Sequence, residues 1–91
     1  MEIDIKDVSP ALFIDAVAHL LSIGVSTLSV FADRRQTEGP WLTAFVIVDG
    51  KRHVRWTGDD WQGRTLQEQA RALAVQLQTF DPGSQPVDAH L

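Results

Sequence analysis

The chain contains no cysteine and no tyrosine. The first absence excludes a disulfide framework and a thiolate metal site, and it fits a reducing compartment. No apolar run approaches the roughly 20 residues that a membrane-spanning helix needs. The opening MEIDIKDVSP has no basic stretch followed by an apolar one, so no signal peptide is expected. Positive charge is scarce: eight Lys and Arg stand against twelve Asp and Glu, a net charge of −4. That balance argues against nucleic-acid or membrane-surface binding driven by overall charge. The reading is a cytoplasmic protein that does not engage membrane.

What is present reads as one folded unit. Ninety-one residues, 44% hydrophobic and 22% charged, suit a single small domain in which nearly every apolar side chain is needed for the core. The domain is expected over residues 1–80, with 81–91 as a flexible tail. Ile3 and Ile5 alternate with charges as a short edge strand does. Ser9-Pro10 suits a helix start, with Val8 and Phe13 spaced as a hydrophobic staple, and the helix runs from Ala11 to Ile23 before Gly24 stops it.

Three strands follow. Val25 to Ala32 is rich in β-branched residues, and Asp33 to Pro40 is a polar loop with a double arginine. Trp41 to Val48 is apolar on both alternating faces, as an interior strand is. Asp49-Gly50 is a strong two-residue hairpin signal, and Lys51 to Thr57 returns as its partner. A two-residue turn, the preferred reading, sets Val48 opposite Lys51, Val46 opposite His53, Phe45 opposite Val54, Ala44 opposite Arg55 and Thr43 opposite Trp56, whereas a three-residue bulged turn would shift the register by one and swap those partners. The Phe45, Val54 and Trp56 side is expected to meet the helices, which would leave Leu42, Ala44, Val46 and Val48 as an open apolar strip beside Lys51, His53 and Arg55.

Thr65-Leu66-Gln67-Glu68 fits a capping box, and Leu66, Ala70, Leu73, Ala74, Leu77 and Phe80 make an apolar stripe at helical spacing. The order β-α-β-β-β-α is an α+β two-layer sandwich, an antiparallel sheet with two helices on one face.

From Ser9 to Phe80, Gly39-Pro40, Phe45, Gly50, Gly58 and an alanine-rich second helix with Ala70, Ala74 and Leu77 resemble the double-stranded RNA-binding domain. The resemblance implies the fold α-β-β-β-α and contact with duplex RNA through lysines at the start of the second helix and a histidine after the Gly-Pro. Here those places hold Asp59-Asp60-Trp61-Gln62-Gly63-Arg64-Thr65 and Trp41-Leu42. Two aspartates would repel a phosphate backbone.

No catalytic constellation is apparent. His19, His53 and His90 have no ligand spacing, Asp59-Asp60 lacks the spaced oxygens of a calcium loop, and no nucleophile elbow or phosphate loop occurs. No enzyme, metal or cofactor is expected. The expected function is a non-enzymatic protein-binding module or inhibitor, of the kind that phages and mobile elements use to block host defence complexes, anti-CRISPR proteins included. Its candidate contacts are Arg34, Arg35, Trp41, His53, Arg55, Asp59, Asp60 and Trp61, because arginine beside tryptophan is the composition of interface hot spots. The partner is a protein, with a homodimer through the open sheet as the simplest form. The alternative is a nucleic-acid-binding module using Arg34, Arg35, Lys51, Arg52 and Arg55.

Overall fold

The computed structural model describes residues 1–35, 39–55 and 61–83. The chain forms β1 (Glu2–Ile5), a 3-10 turn (Pro10–Phe13), α1 (Ile14–Ser22), β2 (Val25–Asp33), β3 (Trp41–Val48), β4 (Lys51–Arg55) and α2 (Leu66–Gln78). Among the described residues no helix is long and apolar enough to cross a membrane.

The four strands lie side by side in chain order. β2, β3 and β4 are antiparallel, but β1 runs parallel to β2, with Ile3 beside Leu28 and Ile5 beside Val30. The sheet is therefore mixed, which corrects the fully antiparallel expectation. The cause is the intervening helix: a crossover through α1 returns the chain to the start of its sheet, so the next strand runs in the same direction.

Local signals acted largely as their chemistry requires. Pro10 does begin the helical segment, but its first turn is 3-10 and regular α-helix starts only at Ile14. Ser9 caps by backbone alone, its carbonyl accepting the Leu12 amide. Gly24 ends α1 at φ +85°, a left-handed conformation that disfavours any side chain. The Asp49-Gly50 turn has φ of 51° and 76°, as a two-residue turn between twisted strands needs. The hairpin register follows from it: Val48 with Lys51, Val46 with His53, Phe45 with Val54 and Ala44 with Arg55. In α2 the capping box is complete, with the Glu68 amide donating to Thr65 Oγ1 and the Thr65 amide to Glu68 Oε1.

Which side of the sheet meets the helices is the reverse of the sequence expectation. Leu42, Ala44, Val46 and Val48 are buried in one core with Phe13, Ala16 and Leu20 from the first helical segment and Ala70, Leu73, Ala74 and Leu77 from α2. β3 is apolar on both faces, so its own alternation cannot choose between them. β2 decides, because Leu28 and Val30 alternate with Thr27 and Ser29 and stand beside Val46 and Ala44. Two cross-strand rows, Ile3–Leu28–Val46–His53 and Ile5–Val30–Ala44–Arg55, form the covered face. The reverse face carries Asp4–Ser29–Phe45–Val54 and Glu2–Thr27–Ile47–Arg52.

Candidate interaction surfaces

The sequence-predicted contacts divide into three places. Trp41, Trp61 and His53 are buried. Arg34 and Arg35 are exposed in the loop after β2, and Arg55 ends β4 half-buried on the covered face. Asp59 and Asp60 lie outside the described residues, as do Trp56 and the expected tail from residue 84.

Trp61 belongs to a buried joint rather than to a surface. Its indole Nε1 donates to the Leu42 carbonyl at 2.7 Å, and the Leu42 amide donates to Gln69 Oε1 at 2.7 Å. Gln69 Nε2 in turn donates to the carbonyls of Pro40 and Arg64, each at 3.2 Å. The pairs observed between β3 and β4 run from Val48–Lys51 to Ala44–Arg55. Leu42 lies beyond them, and two side chains satisfy its backbone where strand pairing would otherwise do so. Gln69 was not picked out from sequence. Its signal was position: three residues after Leu66 and four before Leu73, it sits within the apolar stripe of α2.

The loop arginines are each tied to an acid. Arg35 grips Asp33 through Nε at 3.0 Å and Nη2 at 2.7 Å, and its amide also donates to Asp33 Oδ1. The Arg35 side-chain hydrogen bonds, then the backbone one, hold the Asp33 carboxyl below the usual carboxylate range, and Asp33 reciprocally raises the Arg35 guanidinium. Arg34 lies 3.8 Å from Asp7, whose other carboxylate oxygen accepts the Ala32 amide. Asp33 shares the reverse face with Phe31, so Arg35 forms a rim to that face.

Around Phe80 the covered face closes. His19, on α1, places Nε2 2.8 Å from the Phe80 carbonyl, linking the two helices at their ends. His53 meets the Phe80 ring edge-on at 5.4 Å, and Arg55 lies 4.7 Å from its centroid. Desolvation there draws the Arg55 guanidinium below its ordinary pKa. His53 Nδ1 is buried and has no hydrogen-bond partner among the described residues. The histidine that sequence reasoning placed on an open face therefore packs into the core.

The reverse face is different. Phe45 is flanked by Phe31, centroids 5.4 Å apart, and by the Arg52 guanidinium 3.6 Å above its ring. Ile47 and Val54 continue the strip, all four apolar residues remaining partly accessible. Arg52 and Arg55 thus point to opposite sides of the sheet, so the cations named for nucleic-acid binding do not gather on one face. No protein-family model matches this chain, and neither a curated protein nor a solved structure is found that matches it.

Proposed function

We propose that this chain is a non-catalytic protein-binding module whose working surface is the reverse face of the sheet. The observation that supports the reading is the Phe31–Phe45–Arg52 cluster, continued by Ile47 and Val54 on the side of the sheet facing away from α1 and α2. A solvated sheet face ordinarily carries polar side chains, whereas aromatic residues with arginine are the enriched composition of interface centres. Arg35 on one rim and Arg52 within the strip favour a partner with an apolar centre and acidic edges. An inhibitor that blocks a larger complex, such as a host defence assembly, needs no more chemistry than such a face.

The test compares capture by immobilised wild-type chain, Phe45→Asp, Arg52→Asp and the α2 surface control Val75→Asp, from a lysate of the organism that carries the chain. A partner held by wild type and the control, and lost from both reverse-face variants while circular dichroism stays unchanged, supports the reading. Equal capture by all four overturns it.

A further inference from the structure

A second surface lies at the sheet edge, away from the face just described. α1 turns its His19 flank to α2, and α2 packs over β3 through Gln69. Ile14 and Leu21 point nearly opposite His19 on the helix, toward the β1 side, and they are 66% and 54% exposed. Ile3, on the same side of the sheet in edge strand β1, is 47% exposed. Three large apolar side chains are therefore exposed on the side of the molecule away from α2, where the outer edge of β1 has no neighbouring strand among the described residues.

The backbone of that strand is set for pairing. The Lys6 amide donates to the Val30 carbonyl, so the even-numbered residues of β1 bond inward to β2. Strand alternation then turns the amides and carbonyls of Ile3 and Ile5 to the open edge. The sequence Glu2-Ile3-Asp4-Ile5-Lys6 is also its own complement when reversed. Set antiparallel against itself about Asp4, it places Ile3 opposite Ile5 with both outward-facing backbones in hydrogen-bonding position, and Glu2 opposite Lys6 twice.

We infer that the β1 edge and the Ile14–Leu21 flank of α1 form a two-fold interface with a second copy of this chain, joining the two sheets into one of eight strands. The axis passes through the Asp4 pair, and the exposed flanks of the two α1 helices face each other across it. The interface is isologous and closes at two copies. Asp4 is its one unfavourable element, opposed to itself and relieved only by its own Lys6 at 3.6 Å.

Sedimentation velocity of the full chain over a concentration series tests this. Wild type is expected to pass from monomer to dimer with no larger species. Ile3→Asp and Leu21→Glu each weaken dimerisation at least about tenfold, Lys6→Glu weakens it, and Asp4→Asn tightens it. Leu21→Glu, on an exposed helix position, carries the test if Ile3→Asp loses its circular dichroism spectrum. A monomer at every soluble concentration overturns the inference. So does a dimer that survives both apolar variants but is lost in Phe45→Asp, or one that Asp4→Asn loosens.

Discussion

β3 presents apolar side chains to both faces of the sheet, yet the two faces differ in what surrounds them. On the covered face Leu42, Ala44 and Val46 have no exposure at all. On the reverse face Phe45 and Ile47 stay partly accessible, and a guanidinium rather than a helix lies over the phenylalanine. From Ala44 to Ile47 the strand thus serves as core on one side and as surface on the other, whereas Trp41 and Thr43 are buried although they alternate with Leu42 and Ala44; hydrophobicity alone does not say which is which. The difference rests on neighbours: β2 contributes Leu28 and Val30 to one side and Thr27 and Ser29 to the other.

The largest expected effect tests whether the covered face depends on its corner. Trp61 is fully buried and satisfies the Leu42 carbonyl. Trp61→Ala should cost about 3–5 kcal/mol in urea unfolding, a large share of what so small a domain has. Trp61→Phe keeps most of the volume and loses the indole donor, so it should cost only about 1–2 kcal/mol. Equal losses in the two variants would show that the hydrogen bond, not volume, matters at this corner.

Gln69 comes next. Gln69→Leu removes the partners of the Leu42 amide and of the Pro40 and Arg64 carbonyls. Leaving buried backbone groups unpaired should cost about 1–3 kcal/mol, read again by urea unfolding. On the reverse face Phe45→Ser should cost about 1 kcal/mol, because the ring is only partly buried and its contact with Arg52 is accessible to water. A loss as large as that of Gln69→Leu would erase the contrast and make the reverse face part of the core.

Much of this framework was legible in the residues. Asp49-Gly50 implied the turn, and its two-residue form, preferred over a three-residue bulged one, implied every described β3–β4 pair; Thr65 and Glu68 announced the start of α2; Gly24 marked the end of α1. These are local signals, each requiring one backbone conformation within four residues. The direction of β1 and the choice of face were not local. They depend on how β2 aligns with β3 across a loop that includes residues 36–38, which lie outside the described ones, and on a crossover that returns the chain beside its first strand. His53 was misplaced for the same reason, since correct pairing with Val46 on a wrongly chosen face carries the histidine to the wrong side. Arg34 and Arg35 were legible as an exposed pair, but their acids were not: Asp7 is remote in sequence, and Asp33 read as the first residue of a loop rather than the last of a strand.

The smallest expected effect concerns that pair and separates stability from binding. Asp33 is nearly buried while Arg35, its partner at 2.7 Å, is largely exposed, so solvent screens the attraction. Arg35→Ala should therefore lower the urea midpoint only slightly at neutral pH. The sign with pH follows from the Asp33 carboxyl, which Arg35 holds below its ordinary value. A carboxylate with a depressed folded-state pKa stabilises the fold above the unfolded-state value, about 3.9, and that contribution fades as pH falls through the lower folded value. The gap in urea midpoint between wild type and Arg35→Ala should accordingly be present at pH 7 and shrink below pH 4. Arg34→Ala, which loses only a 3.8 Å contact between exposed groups, should show a smaller gap at pH 7. Arg35→Glu differs from both in setting a second carboxylate beside Asp33, so it should destabilise at pH 7 and recover at low pH. A double glutamate variant at Arg34 and Arg35 would mix that repulsion with any loss of partner contact, whereas Arg35→Ala removes the rim charge and leaves the strand beneath it intact.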